Sequence, residues 1–186
     1  LEQCTFVRKF YAYKKKSKDI LYQLIDNFTL FYFHYISRNS SHDTDFYTHS
    51  AGTKNRTSWQ GIAFERLCLW HIPQIKKKLG ISGIITSVNS WRTSAGSNHE
   101  GAQIDLLIDR NDKVINLCEM KYSDTPYALT AKIFNELQRK ENVFNTVTHN
   151  TKTIHLTMIT TFGITHNTYA NKIQSQVTLN DLFAIT

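Results

Sequence analysis

A chain of 186 residues makes one ordinary domain, or one compact domain with a small appendage, and is long enough to bury a sizeable core. With 41% hydrophobic and 12% aromatic residues and only two prolines, its composition excludes wholesale disorder. Lys and Arg number 22 against 15 Asp and Glu, a formal charge of +7, which favours a polyanionic partner such as nucleic acid. The three cysteines, Cys4, Cys68 and Cys118, are odd in number and far apart. Two lie in apolar stretches, which indicates buried free thiols in a reducing cytoplasm rather than a disulfide framework. The most apolar stretch, residues 21–36, is interrupted by Gln23, Asp26, Asn27 and His34, which argues against a membrane span, and no signal peptide is visible. The sequence begins at Leu1 and opens mid-pattern, as a fragment of a longer protein would.

Residues 5–13 and 20–24 read as two strands around a basic turn that contains Lys14, Lys15, Lys16 and Lys18. Asp26 is placed to cap a short aromatic helix over 28–36. A hairpin followed by a helix is how a winged-helix domain ends. Residues 1–36 are therefore expected to be such a remnant, with the lysines as a wing offering weak nucleic-acid contacts; a solvated turn is the plain alternative. Residues 37–57, rich in polar side chains and without periodicity, are expected to be a linker.

From Ser58, read as an N-cap, Ile62, Leu69, Ile72 and Leu79 recur at roughly helical spacing, and Pro73 kinks or splits the helix. Glu65 on this helix is either a site residue or a surface carboxylate, alone or paired with Arg66. Cys68 and His71 resemble half a zinc site, but no second pair with ligand spacing follows, so a helical core is the better reading. Residues 83–91 alternate as a strand, and 101–109 and 113–122 follow as two more joined by a turn at 110–112. Thr130 opens a helix to about residue 144, with Ile133, Leu137 and Phe144 on one face. A strand over 152–160, a break at Gly163, an edge strand at 176–178 and a short helix over 179–184 complete the chain. Helix, three strands, helix, strand indicates an α/β sandwich around a mixed sheet, spanning residues 58–186.

Asp105 lies on the second of these strands and Glu119 and Lys121 on the third, each in an apolar run. Strand alternation puts Asp105 with Leu107 and Asp109, and Glu119 with Lys121. The short turn then sets Asp105 within one or two residues of facing Glu119. Buried carboxylates and a lysine are costly unless they pair or hold a metal. Two carboxylates in this position suit Mg2+ or Mn2+, which activates a bound water and neutralises charge on a phosphorane. Lys121 is placed to serve the water or the developing oxyanion, and Glu65 to add an outer ligand. The alternative is a structural ion pair of Glu119 with Lys121 or with a helix residue.

These residues resemble the PD-(D/E)xK nuclease superfamily. The correspondence runs through Glu65 in Gly61-Ile-Ala-Phe-Glu65, Asp105 in Gln103-Ile-Asp105, and Glu119-Met-Lys121. Longer strings look more narrowly like the C-terminal region of prokaryotic P-loop ATPases that carry such a domain after a winged helix. They are Tyr22-Gln-Leu-Ile-Asp26, Gly101-Ala-Gln-Ile-Asp-Leu-Leu-Ile-Asp-Arg110, Cys118-Glu-Met-Lys-Tyr122 and Val177-Thr-Leu-Asn-Asp-Leu-Phe183. The resemblance implies a restriction-endonuclease-like αβββαβ core and hydrolysis of DNA phosphodiester bonds. It also implies Mg2+ or Mn2+ held by Asp105, Glu119 and Glu65, with Lys121 as the fourth catalytic residue. An ATPase module of the same full-length chain is the implied partner, and pairing as a homodimer is a further expectation. Ile104 stands where a proline often precedes the Asp, a departure the superfamily tolerates. No Gly-x4-Gly-Lys-Ser/Thr phosphate loop occurs in these residues. Because the superfamily includes members that bind without cutting, a non-catalytic DNA-binding or regulatory domain is the alternative. A protein-interaction module built on the aromatic N-terminal segment is a third reading.

Overall fold

The structure, a computed structural model, describes residues 2–4, 6–14, 20–39, 43–97 and 99–184. Of the expected wing, Lys15, Lys16 and Lys18 lie outside the described residues. Strands β1 (Val7–Tyr11) and β2 (Ile20–Leu24) pair antiparallel, with Val7 opposite Leu24. Asp26 caps helix α1 (Asn27–His34), its carboxylate accepting from the Thr29 amide at 2.6 Å. The segment expected as a linker holds a 3-10 turn (Ile36–Arg38), a short helix α2 (Phe46–His49) and the first turn of α3 (Lys54–Trp70). Thr53, not Ser58, is the N-cap of α3, its hydroxyl accepting from the Arg56 amide. The polar first turn of α3 hides that start from a reading based on apolar spacing. Rings from all three helices meet there: Phe31 lies 5.3 Å from Tyr47 and 6.0 Å from Trp59. Pro73 marks a split, as expected. Helix α3 stops at Trp70, and α4 (Ile72–Lys78) takes the proline in its first turn, where a missing N–H costs no helical hydrogen bond. Gly80, at φ +69, ends α4 while its amide and that of Ile81 turn back to the carbonyls of Lys77 and Lys76.

Five strands form one mixed sheet in chain order: β3 (Thr86–Thr93), β4 (Ala102–Arg110), β5 (Val114–Lys121), β6 (Thr153–Thr160) and β7 (Ser175–Thr178). The first three run antiparallel and the last two join in parallel. Helix α5 (Ala131–Thr148), capped by Thr130 as expected, makes the crossover from β5 to β6. It packs Phe134, Leu137 and Phe144 on Leu107, Ile115, Leu117 and Leu156. On the other face α3, α4 and the short α6 (Leu179–Leu182) bring Phe64, Cys68, Ile75 and Leu182 against Leu106, Ile108, Cys118 and Met120. Each fully buried Leu or Ile contributes roughly 1.5–3 kcal/mol, enough for the two apolar layers to hold a charged strand end in place. The result is a mixed α/β fold with helices on both faces, in the expected order of helix, three strands, helix and strand. Cys68 and Cys118 are buried free thiols, and Cys4 is exposed. Among the described residues no helix is long and apolar enough to cross a membrane.

Two features of this frame bear on the site. First, β3 pairs with β4 in one register as far as Asn89–Leu107 and in another from Trp91–Ile104, so Asp105 and Leu106 together oppose Ser90. The strict alternation expected from the sequence fails at Asp105. Ile104 and Leu107 both join the α5-side core, while Leu106 and Ile108 join the other. A bulge of this kind re-aims a side chain at a strand edge. Second, the N-terminal hairpin is seated on the outer edge of β3. The Tyr13 amide donates to the Ser90 carbonyl at 2.9 Å, and the Tyr13 ring is buried 5.2 Å from Phe144. Arg8 donates to the Leu69 carbonyl.

Candidate active site

The four expected residues gather at one end of the sheet. Leu106–Cys118 is the last β4–β5 pair, so Asp105 and Glu119 come next on the two strands as they part. Asp105, in the bulge, borders two adjoining clefts. One, of about 840 Å³, is lined by Glu119 and Lys121 and by three further cations, Arg92, Arg139 and Lys140. The other, of about 280 Å³, holds Glu65 from α3 and is walled by Tyr22 and Gln23 of β2.

Glu119 is the best-partnered of the four. Lys121 Nζ donates to its Oε1 at 2.8 Å and Lys140 Nζ donates to its Oε2 at 2.8 Å. The ion pairing that the structural alternative foresaw is therefore present, with one lysine from the strand and one from a helix. Burial works against the charge on Lys121, but Glu119 outweighs it, helped by Tyr127 and Glu65, and the ammonium is held above its ordinary range. The Asp105 carboxylate accepts from Gln103 Nε2 at 2.6 Å. Glu65 is half-buried, and burial raises its carboxyl to about 7; Asp105 and Glu119 add to the shift while Lys121 opposes it. Arg66 attracts the Glu65 charge and also opposes the shift, though its Nε and Nη1 atoms are buried without a hydrogen bond. Lys14 donates to the Thr148 carbonyl at 3.2 Å and lines neither cleft.

Mg2+ and Mn2+ seek hard oxygen donors, so a set of three carboxylates suits them chemically. Burial first, and then the charges of Asp105 and Glu119, raise the Glu65 carboxyl, and the latter is a repulsion a cation would relieve. The side chains as placed do not form a metal centre. Among the described residues no group of three or more His, Cys, Asp or Glu could hold a metal ion, and both Glu119 oxygens face ammonium groups.

Arg92, Gln103, Arg139 and Lys140 were not among the expected site residues. Lys140 carried a usable signal: it lies three residues after Leu137 and four before Phe144, in the row of α5 that packs on the sheet. Arg139 donates to the Gly101 carbonyl at 2.9 Å and pairs with Glu136 and Glu100, tying α5 to the start of β4. That contact joins distant segments and has no local pattern to reveal it.

No protein-family model matches the chain, and no solved structure does. It is similar to an uncharacterized protein of Methanocaldococcus jannaschii, with 27% identity over 130 residues. The aligned stretch is 69% of this chain and 28% of that relative, so the chain spans less than a third of the length of the curated relative it matches.

Proposed function

We propose that this chain is a divalent-metal-dependent nuclease domain that hydrolyses DNA phosphodiester bonds, the C-terminal part of a larger P-loop ATPase. The observation that carries this reading is the meeting of Glu65, Asp105, Glu119 and Lys121, from α3, β4 and β5, around clefts that share Asp105. The element order agrees with a restriction-endonuclease-like core, and the hairpin with α1 agrees with a winged-helix remnant. Mg2+ or Mn2+, if bound, would supply a water of lowered pKa and neutralise charge at phosphorus, and Asp105 and Glu119, with Glu65 beside them, are the residues that would hold it. Lys121, kept charged by Glu119, hydrogen-bonds the attacking water or the developing oxyanion. Arg92, Arg139 and Lys140 give the larger cleft a cationic lining suited to a phosphate backbone, in keeping with the net charge of +7.

The pairing of Glu119 with two lysines favours a second reading, a non-catalytic DNA-binding or regulatory domain in which the cluster is structural. Calorimetric titration of Mn2+ into the wild type and an Asp105→Ala/Glu119→Ala variant separates the two. The nuclease reading expects binding that disappears in the variant, together with duplex cleavage that falls about 100- to 1000-fold in Lys121→Ala. Duplex binding that survives in the double variant, with no cleavage by the wild type in either metal, supports the second reading instead.

A further inference from the structure

We infer that the site takes an unpaired DNA strand, with Arg92 on a backbone phosphate and one base lodged in the smaller cleft against the ring of Tyr22. This rests on the reading of the larger cleft as a track for a phosphate backbone, and on neither a metal nor cleavage. The two clefts form one path, because Arg92, Gln103 and Asp105 line both. Their chemistry differs. The larger presents Lys121, Arg139 and Lys140 beside Arg92, a wall for phosphates. The smaller has a floor of Leu69, Trp91 and Met120, all buried, and an aromatic rim in Tyr22, 64% of which is exposed. Seating of the hairpin on Ser90 and on the Leu69 carbonyl brings Tyr22 to that rim.

Arg92 is the cation of this path left open to a phosphate. Glu119 holds Lys121 and Lys140, and Arg139 is engaged with Glu136, Glu100 and the Gly101 carbonyl. Arg92, exposed on β3 opposite Gln103, has no ion-pair partner among the described residues. A guanidinium in that state offers its fork to two phosphate oxygens. It stands where the clefts meet, so a phosphate on Arg92 leaves the attached sugar and base at the mouth of the smaller one. That cleft, of about 280 Å³, has room for a nucleotide and none for a paired duplex. A base enters it only when unpaired and unstacked. The apolar floor then receives one flat face, and Tyr22 offers the kind of stacking surface on which single strands are held.

The test measures binding in EDTA, where no metal takes part. The ligands are a short DNA strand, the duplex it forms with its complement, and a wholly abasic strand of equal length. We expect the strand to bind more tightly than the other two. Tyr22→Ala should cost the strand about 5- to 150-fold in affinity, the loss of one stacked base, and erase its advantage over the abasic strand. Tyr22→Phe, which keeps the ring, should recover that advantage. Arg92→Met should flatten the dependence of log affinity on log salt by about 0.7, one phosphate contact on a single strand, and Arg92→Lys should restore it. No binding of the strand, a duplex bound as tightly, or an unchanged salt slope in Arg92→Met overturns the inference. So does a Tyr22→Ala loss of equal size on all three ligands, which is what a ring that merely steadies the hairpin would give. Cleavage is read separately with Mn2+ added. Strand binding with these signatures and no cleavage sinks the nuclease reading and leaves the inference standing, whereas cleavage without them does the reverse.

Discussion

Glu65 keeps its proton to about 7 in the folded chain, against an ordinary value of 4.5, first because burial disfavours its charge and then because Asp105 and Glu119 repel it. Between those two values the unfolded chain binds fewer protons than the folded one, so stability falls as pH rises through the window. Glu65→Gln should flatten that fall. In urea unfolding the variant should match the wild type near pH 4 and exceed it at pH 8 by on the order of 1 kcal/mol, the full shift being reduced by solvent screening of a partly exposed group. On the proposed nuclease reading the dependence runs the other way: Mn2+ affinity should rise through about 7 as Glu65 ionises, and lose that dependence in the variant. The legibility of the site follows the same physics. Asp105, Glu119 and Lys121 stand out because they interrupt apolar strands, where a charge needs a reason. Lys140 interrupts an apolar row equally, but the signal shows only once Leu137 and Phe144 are aligned on one helical face, because its immediate neighbours in Gln138-Arg-Lys-Glu141 are all polar.

Among the elements, the β4–β5 connection shows how far local sequence reaches. The turn expected at 110–112 is a loop of residues 111–113, clamped by the Arg110–Asp112 ion pair, with Lys113 in the left-handed region at φ +66. A three-residue hairpin loop ending in that conformation favours glycine. Lys113→Gly should raise stability by about 0.5 kcal/mol, the relieved backbone strain exceeding the added freedom of the unfolded chain, as chemical denaturation would measure. The amide of Thr153 bonds the Lys113 carbonyl at 3.0 Å, a backbone contact the substitution leaves intact. The strand pair was readable because apolar alternation and turn chemistry are local. The bulge at Asp105 was not, because it exists only in the register between β4 and β3, and neither strand carries that register alone. The cap of α3 differs from the expected one for a related reason: Ser58 is the better cap in isolation, and the aromatic contacts of Trp59 with Phe31 and Tyr35 reveal the longer helix only once α1 is in place.

Over the whole molecule, the order of helices and strands in the mixed sheet could be read from periodicity, whereas the placement of the first 36 residues could not. They look like an appendage because their own pattern is short and basic, yet Tyr13 lies in the same core as Trp91 and Phe144. Helix α1 has no buried residue, and Phe28 and Phe33 are 70% and 61% exposed. The seat of the hairpin has a consequence for solution behaviour. Strand β3 ends the sheet, and its unpaired backbone groups would invite the same strand of another molecule. Ala12 and Tyr13 close that rim at Ser90, while the opposite rim is the four-residue β7. Removing residues 1–26 should therefore shift sedimentation towards larger oligomers than the intact chain forms, with Trp91 fluorescence shifted to the red as its cover is lost. An unchanged sedimentation profile would show that β3 needs no such cover. On that expectation the two residues just past β1, Ala12 and Tyr13, keep one copy of the protein from knitting itself to the next.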